Sequence, residues 1–259
     1  MKSPLLSLCI IAGNEEKMIG DCLRSGDFAD EVILVTTPSC TDTTAETAKK
    51  TIPQIKISKF DKFPDTDFSA WRNAAFNLAH SKWILFIDAD ERITPDLKKE
   101  ILQIISQPEI PFTNYDLPRA NFFLGKRVKH GGTYPDYVKR LFLREKFKGY
   151  QGKLHEQPLI SGPGSQLKSD LLHYTHRDLS SMLSKSLEWT TLEAEMLYKS
   201  KHPPVVWWRL LRMMSTKFWQ RFIWQSMWLD GTVGLISSIY ESFDTFIIYA
   251  RLYEIQQQS

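Results

Sequence analysis

Two aspartates separated by one residue follow an apolar run in the first half of the chain. Residues 83–87 read Trp-Ile-Leu-Phe-Ile, and Asp88-Ala89-Asp90 comes directly after them. Two carboxylates at the end of a buried strand can bind a hard divalent cation through oxygen ligands. Such a cation can bridge a diphosphate and stabilise it as a leaving group. The alternative interpretation of the same residues is a turn followed by a helix cap.

Asp65 and Asp67 repeat this spacing, but no apolar run precedes them. An Asp-x-Asp pair is weak by itself, because about one is expected by chance in a chain this acidic. We therefore interpret Asp65 and Asp67 as part of a solvated loop and keep Asp88 and Asp90 as the candidate site.

Predicted strands and helices alternate before residue 107. The strands are expected at residues 5–12, 31–36, 54–58 and 83–87, and the helices at 14–25, 41–50, 68–80 and 94–106. This alternation is typical of an α/β fold with a mostly parallel sheet and covering helices. Ligands bind such sheets beyond the carboxyl ends of the strands. The loops after Ala12, Thr36 and Ile87 are therefore expected to converge at one edge.

The pattern changes in the rest of the chain. Short apolar runs between Gly and Pro turns at residues 115–174 predict extra strands and ordered loops that complete an active site, and residues 178–198 predict a helix. Five tryptophans then lie between residues 207 and 228. We place a domain boundary at this shift in composition, between residues 1–200 and a C-terminal helical region at 201–259.

The composition is that of an ordinary globular protein. The 259 residues are 42% hydrophobic and 24% charged, and the net charge of +3 is too small to indicate a nucleic-acid partner. The three scattered cysteines lack metal-ligand spacing and indicate reduced thiols in a cytosolic setting. Neither a signal peptide nor a run of about 18 uncharged apolar residues is expected, so we predict no membrane-spanning helix.

Eleven short motifs are spread along the first two thirds of the chain. They read IIAGNEE (10–16), FADEV (28–32), TD (41–42), WRNAA (71–75), WILFIDADER (83–92), NFFLG (121–125), HGG (130–132), YPD (134–136), RLF (140–142), HE (155–156) and LHY (172–174). Together they resemble family 2 glycosyltransferases, nearest to the lipopolysaccharide core glucosyltransferase branch. The match is collinear over about residues 4–200, with a weaker echo at Asp230-Gly231. The resemblance implies a GT-A fold, a Rossmann-like and mostly parallel central sheet flanked by helices, here with a C-terminal helical appendage.

The resemblance also implies an inverting displacement at the anomeric carbon of a nucleotide sugar. An acceptor hydroxyl attacks opposite the nucleotide diphosphate, and one carboxylate must remove its proton. His155-Glu156 lies where the family carries its acid pair, so Glu156 is the expected base and His155 is expected to orient the carboxylate or the acceptor. The alternative for Glu156 is a surface side chain beside a core histidine, which needs no catalytic role.

For the metal, the resemblance implies Mg²⁺ or Mn²⁺ bound mainly by Asp90. Asp88 is expected to contribute to the metal site and to meet the sugar or ribose of the donor. His173 could complete the coordination, because imidazole is an acceptable ligand for Mn²⁺. A hydrogen-bonded core histidine is the alternative for His173.

For the donor, the resemblance implies a nucleotide sugar, with a UDP-sugar first among the candidates. Ala12 or Glu15 is expected to contact the ribose or base, although Glu15 could instead be a first-turn acid on a helix dipole. Arg72 is expected to point toward the nucleotide or its phosphates, since a guanidinium matches phosphate oxygens. Its alternative is a helix-surface ion pair. Arg140 is a similar candidate.

One position departs from the family pattern. The family usually carries an Asp five residues before the counterpart of Asp42, and that Asp typically contacts the nucleotide base. Here the position is Thr37. Thr37 and Asp42 remain donor-site candidates, and the departure leaves the identity of the donor open.

The C-terminal region combines aromatic and basic residues. Residues 201–229 contain five cations and no acid. A helix from about residue 205 would carry Trp207, Leu211, Phe218 and Phe222 on one side and Arg209, Arg212, Lys217 and Arg221 on the opposite half. This pattern suits a helix in a membrane interface with anionic headgroups, or alternatively one that packs its aromatics onto the catalytic domain. A second apolar helix at 234–253 is interrupted by Glu241 and Asp244, which argues against a membrane span.

The sequence thus predicts a bacterial enzyme of cell-envelope or lipopolysaccharide biosynthesis. It would transfer a sugar to a hydroxyl of a glycan or glycolipid acceptor, at the cytoplasmic face of the membrane and peripheral to it, with no nucleic-acid partner. A catalytically decayed, membrane-associated module that binds nucleotide sugars is an alternative, supported by Thr37. A nucleotidyltransferase is a further alternative, but residues 12–16 are not the Gly-rich phosphate loop that such an enzyme would need.

Overall fold

The computed structural model describes residues 4–37, 39–60, 68–152 and 156–258. The candidate residues Asp65, Asp67 and His155 lie outside these ranges. The chain forms two compact units, one of Met1–Arg119 with Asp136–His173 and the other of Ala120–Pro135 with Tyr174–Ser259. The separate region predicted from residue 201 onward stays a prediction.

Strands and helices alternate in the first half of the chain, up to residue 105, and the second half adds further strands followed by three helices. In order, they are β1 (Leu6–Ala12), α1 (Ile19–Ser25), β2 (Glu31–Thr36), α2 (Thr44–Thr51), β3 (Lys56–Lys59), α3 (Phe68–Leu78), β4 (Trp83–Asp88), β5 (Glu91–Ile93), α4 (Pro95–Ile105), β6 (Asn114–Phe123), β7 (Lys126–Arg127), β8 (Asp136–Leu143), β9 (Phe147–Gln151), β10 (Gln157–Ile160), β11 (Gly164–Gln166), β12 (Leu171–His176), α5 (Leu179–Lys199), α6 (Trp207–Trp219) and α7 (Gly231–Gln257). The predicted alternation is confirmed.

The sheet of the first unit is parallel where strands and helices alternate. β1 pairs in parallel with β2 on one side and β4 on the other, and β3 pairs in parallel with β2. β8 adds antiparallel to β4, and β6 adds antiparallel to β8. β5 pairs antiparallel with β12. The carboxyl ends of β1, β2 and β4 therefore lie at one edge, as predicted.

Helices cover both faces of this sheet. Every residue of β1 is buried, and all of them except Ser7 are apolar, as expected for a strand covered on both faces. Because side chains alternate along a strand, Leu8 and Ile10 pack in one core with Leu23, whereas Cys9 packs in a second core with Trp71. Burial on both faces fixes the strand, and with it the position of the loop that follows.

The first helix begins later than the sequence predicts. α1 starts at Ile19, not at residue 14. The backbone N–H of Glu15 donates to Thr44 Oγ1 (2.8 Å), and that of Glu16 donates to the Asp42 carboxylate (2.9 Å). The chain is therefore held against the neighbouring loop before it turns into the helix.

The second unit is built on three long helices. α7 packs against both α5 and α6. Ser186 Oγ of α5 bonds Asp244 Oδ1 of α7 (2.6 Å), and both Lys217 and Arg221 pair with Glu241 of α7. None of the helices in the described ranges combines the length and apolarity needed to cross a lipid bilayer.

Candidate active site

Asp88 and Asp90 face different partners. Asp88 is the last residue of β4, and each of its carboxylate oxygens faces a guanidinium: Oδ1 lies 2.7 Å from Arg72 Nη2, and Oδ2 lies 2.5 Å from Arg140 Nη2. Asp90 Oδ2 instead lies 3.6 Å from His173 Nε2. His173 reaches this position because β12 pairs with β5, the strand that begins just after Asp90.

The acids and arginines around Asp88 form a buried cluster. Arg72 is 3% exposed, Arg140 is 6% exposed and Glu91 is fully buried. Glu91 Oε1 lies 3.2 Å from Arg140 Nη2, and Glu91 Oε2 accepts the backbone N–H of Asp88 (2.8 Å). Buried charges are tolerated only when they are paired and hydrogen-bonded, and here arginines and carboxylates provide each other's partners.

These pairings determine the charge state of Asp88. Burial by itself would raise the pKa of Asp88, because it disfavours the charged form. The guanidinium groups of Arg140 and Arg72 outweigh burial and hold the pKa of Asp88 well below its ordinary value. Burial likewise would lower the pKa of Arg72, but Asp88 and Glu156 raise it above its ordinary value. Asp88 and Arg72 are therefore both ionised at neutral pH.

Glu156 belongs to the same cluster. Its Oε1 lies 2.5 Å from Arg72 Nε, so Arg72 bonds Glu156 and Asp88 at the same time. The Glu156 side chain is only 19% exposed, which excludes a freely solvated surface residue. Its second oxygen, Oε2, has no hydrogen-bond partner among the described residues.

Helix α3 also holds the strand that precedes the candidate base. Asn73 Nδ2 donates to Tyr150 O (2.9 Å), and Asn73 Oδ1 accepts from Tyr150 N (2.7 Å). Ser69 Oγ donates to Gly152 O. The Arg72 guanidinium lies 5.6 Å from the centre of the Tyr150 ring. Burial raises the pKa of the Tyr150 hydroxyl above its ordinary value, so this hydroxyl stays neutral.

The loops after β1 and β2 are joined by hydrogen bonds at the same sheet edge. Thr37 is 4% exposed, its N–H donates to Ala12 O (3.1 Å), and its hydroxyl lies 3.1 Å from Ser39 Oγ. Asp42 accepts from the backbone N–H (2.9 Å) and the hydroxyl (2.5 Å) of Thr44. The Asp42 carboxylate thus holds the two loops together, and its role as a donor contact stays a prediction.

Hydrogen bonds also determine the charge of Asp42. Burial by itself would raise the pKa of Asp42. The hydrogen bonds from Thr44 and from the N–H of Glu16 lower the pKa of Asp42 below its ordinary value. The carboxylate is therefore ionised as it joins the loops.

Sequence reasoning missed Glu91, Asn73 and Tyr150. Glu91 directly follows Asp90, and Asn73 directly follows Arg72, so both lie inside motifs already noted. Their position in those motifs was a usable signal, because a polar residue in a buried segment needs a partner. Tyr150 carries no comparable signal in the sequence.

The donor set of Asp90 and His173 fits a divalent cation. Mg²⁺ is commonly bound through one or two carboxylates together with substrate phosphates, and Mn²⁺ also accepts imidazole. Within the described ranges no group of three or more His, Cys, Asp or Glu side chains could hold a metal ion. Both oxygens of Asp88 are paired with arginines, so Asp88 fits a metal site less well than Asp90 does.

The fold and this sheet edge define a class of protein. The model of glycosyl transferase family 2 matches residues 7–174, and the chain belongs to this family. The predicted family resemblance is confirmed.

Individual relatives agree with this assignment. SPbeta prophage-derived glycosyltransferase SunS of Bacillus subtilis is 33% identical over 158 residues, which cover 61% of this chain and 35% of SunS. The chain therefore spans about a third of the length of that relative. Lipopolysaccharide core biosynthesis glycosyltransferase LpsC of Rhizobium meliloti is 24% identical over 256 residues, covering 96% of this chain and 92% of LpsC.

A solved structure shows the same fold. Residues 1–349 of S. aureus TarS, in complex with UDP, superpose with a TM-score of 0.51 at 16% identity, covering 98% of this chain and 91% of that chain. The predicted GT-A fold is confirmed.

Proposed function

We propose that this chain is an inverting glycosyltransferase that moves a sugar from a nucleotide-diphosphate sugar to a hydroxyl of a cell-envelope or lipid-linked glycan. The observation that carries the proposal is the ion-pair bridge from Glu156 through Arg72 to Asp88. It brings a carboxylate beside the end of β4, one of whose oxygens has no hydrogen-bond partner within residues 4–37, 39–60, 68–152 and 156–258, in a chain of glycosyl transferase family 2. Inversion by a hydroxyl nucleophile needs one such carboxylate as general base.

Each candidate residue has a role in this reaction. Glu156 removes the proton of the attacking hydroxyl. Asp88, kept ionised by two arginines, accepts hydrogen bonds from the sugar or ribose of the donor. The joined loops after β1 and β2 hold the nucleotide, with Ala12, Glu15 and Thr37 nearest to it.

Asp90 and His173 would hold the divalent cation, Mg²⁺ or Mn²⁺. When bound, such a cation neutralises charge on the leaving diphosphate. A carboxylate oxygen and an imidazole nitrogen suit this task because the substrate phosphates can provide the remaining ligands. The other histidine of the predicted site, His155, stays a candidate for orienting the base or the acceptor.

The relatives suggest which donor and acceptor to test first. TarS was solved with UDP, and we propose a UDP-sugar as the donor. The name of LpsC refers to lipopolysaccharide core biosynthesis, and we propose a cell-envelope glycan as the acceptor. Thr37 occupies the position of the Asp that usually contacts the nucleotide base in this family. The donor panel must therefore also include sugars linked to nucleotides other than UDP.

We also propose that α6 and the turns after it lie on the cytoplasmic surface of the membrane. Trp207 and Trp224 are each 74% exposed. Other large apolar side chains of this segment are exposed as well: Trp208, Leu211, Trp219, Ile223, Trp228 and Leu229. Exposed tryptophans beside cations suit the interface of an anionic membrane.

The four cations of this segment, which were predicted on one helix face, have different partners in the structure. Lys217 and Arg221 pair with Glu241, so they are partly neutralised. Arg209 and Arg212 lie 5.7 Å and 5.4 Å from the ring centre of Trp208. These two arginines, beside exposed aromatic rings, are the ones best placed to meet anionic headgroups.

A panel of nucleotide sugars tests the enzymatic proposal directly. The full chain would be incubated with each donor in the presence of Mg²⁺ or Mn²⁺, and release of the nucleoside diphosphate measured. We expect metal-dependent hydrolysis of one donor, lost in Asp90→Ala and retained in Asp96→Ala, an exposed aspartate of α4. If the folded protein releases no nucleoside diphosphate from any donor, the result would instead support a non-catalytic module that binds nucleotide sugars.

A further inference from the structure

One side of helix α3 packs in the core, and the other side contacts the candidate base Glu156 and residues that precede it. Trp71 is buried against the sheet. Ser69, Arg72 and Asn73 bond in the other direction, to Gly152 O, the Glu156 side chain and the Tyr150 main chain, respectively. The helix therefore holds Tyr150, Gly152 and Glu156, and of these three only Glu156 is a candidate catalytic group.

Arg72 is committed to these contacts. Its Nε bonds Glu156, its Nη2 bonds Asp88, and only Nη1 lacks a partner among the described residues. Recognition of a phosphate by arginine typically uses two parallel N–H groups. With 3% exposure and two carboxylates already bound, Arg72 is poorly suited to the phosphate contact that the sequence suggests.

We propose that Arg72 is a positioning residue for Glu156, and this inference rests on the proposed function because it takes Glu156 as the base. The terminal torsion of a glutamate is broad, so an unrestrained carboxylate presents either oxygen in many orientations. Arg72 binds Oε1, while its own guanidinium is held in place by Asp88. Oε2, which is buried and has no hydrogen-bond partner among the described residues, is thereby left as the oxygen that would take the proton once an acceptor hydroxyl is bound against it.

The surrounding charges allow this role to be tested without losing the whole cluster. When Arg72 is replaced, Asp88 should keep a cationic partner, because Arg140 Nη2 lies 2.5 Å from Asp88 Oδ2. Glu156 has no second cationic partner among the described ion pairs. A substitution at Arg72 should therefore affect Glu156 more than Asp88.

The first test compares turnover with donor binding in the full chain. Arg72→Lys keeps the positive charge but cannot bond two carboxylates in the same fork geometry. We expect kcat to fall by about 10- to 100-fold, because a small displacement of a reacting group has an effect of that size. The Kd of the UDP-sugar should change by less than about twofold. A large rise in Kd with kcat unchanged would overturn the inference, since it would make Arg72 a donor ligand.

The control is Arg144→Lys. Arg144 Nε donates to Ala79 O (2.9 Å), just after α3, and its guanidinium lies 5.4 Å from the centre of the Phe76 ring. Arg144 is thus a second arginine that contacts the region of α3 and an aromatic ring. We expect Arg144→Lys to keep wild-type kcat and Kd, and thermal unfolding of both variants shows whether each is folded.

A double-mutant cycle separates positioning from a general structural effect. If Arg72 acts through Glu156, then Arg72→Lys should cause no further loss of the single-turnover rate in a Glu156→Gln background. Equal losses in both backgrounds would overturn the inference and leave the proposed function intact. A folded wild-type chain that transfers no sugar from any donor would overturn the proposed function and this inference together.

Discussion

Arg140 Nη2 lies 2.5 Å from Asp88 Oδ2, so that a buried guanidinium of β8 holds the carboxylate that ends β4. The same nitrogen lies 3.2 Å from Glu91 Oε1, at the start of β5. The turn between β4 and β5 is therefore fixed from the interior on both sides. Asp88 belongs to the buried ion cluster, whereas Asp90, two residues later, pairs with His173. The two aspartates of one short motif consequently have different environments and different expected functions.

Glu156→Gln should keep donor binding and lose turnover. The amide preserves the shape of the side chain but cannot accept the proton of the attacking hydroxyl. We expect kcat to fall by about 10² to 10⁴-fold with little change in the donor KM. Steady-state kinetics with the donor found in the panel would measure both constants. Glu145→Gln, at a side chain that is 70% exposed, is the matched control. Normal turnover by Glu156→Gln would mean that another residue is the base.

Asp90→Ala and His173→Ala should weaken the response to metal. Loss of Asp90 removes the main anionic ligand, so metal-dependent transfer should disappear while the fold survives. Loss of His173 should raise the Mn²⁺ concentration needed for half-maximal rate by about 10- to 100-fold. Titration of activity with Mn²⁺, together with calorimetric binding of Mn²⁺ in the presence of UDP, measures both effects. An unchanged Mn²⁺ requirement in both variants would exclude this pair as the metal site.

Glu31→Gln should reduce the stability of the first unit at neutral pH. The Glu31 carboxylate accepts from Ser7 Oγ (2.5 Å) and His80 N (2.9 Å) and pairs with Lys56. Burial by itself would raise the pKa of Glu31, but these bonds lower it from 4.5 to about 2. We expect a loss of about 2 kcal/mol in the free energy of unfolding, the typical contribution of a hydrogen bond to a charged group.

The same shift predicts how stability depends on pH. Because the folded-state pKa of Glu31 lies below its ordinary value, its contribution is present above about pH 4.5 and is lost as the pH falls toward 2. Urea unfolding across this range should show a shallower acid dependence in Glu31→Gln than in wild type. Glu109→Gln, at an exposed acid, should retain the wild-type dependence. Identical profiles for Glu31→Gln and wild type would contradict the prediction.

Replacing both Trp207 and Trp224 by Ser should weaken binding to anionic vesicles. Each side chain is 74% exposed and would lose its burial in the interface. We expect binding to vesicles of phosphatidylglycerol and phosphatidylcholine to fall by roughly tenfold or more, since burial of one large apolar side chain contributes about 2 kcal/mol. Co-sedimentation measures the bound fraction.

The matched control for this surface is a pair of exposed leucines in the first unit. Leu102 and Leu159 are 37% and 39% exposed, and Leu102→Ser with Leu159→Ser should leave vesicle binding unchanged. Equal binding by wild type and the tryptophan variant would refute the membrane surface. Binding that is insensitive to salt would also count against a contribution from Arg209 and Arg212.

Local patterns in the sequence determined the framework of this protein. The mostly apolar runs that became β1, β2 and β4 are long enough to predict strands buried on both faces, because burial on two sides leaves few polar positions. The parallel order of these strands follows from the alternation with helices. With the framework known, Asp88 and Asp90 had to lie at the edge where ligands bind.

Only the tertiary structure decided which side chains meet at that edge. α3 packs so that Arg72 bonds Asp88 and Glu156, a pairing that the sequence did not indicate, and the expected contact of Arg72 with the nucleotide stays a prediction. The Asp42 carboxylate joins two loops, which the sequence also did not indicate, and its role as a donor contact stays a prediction. A strand or helix is encoded within a few neighbouring residues, whereas the partner of a long polar side chain depends on segments brought together by packing. That dependence is why periodicity located the elements but not the ion pairs between them.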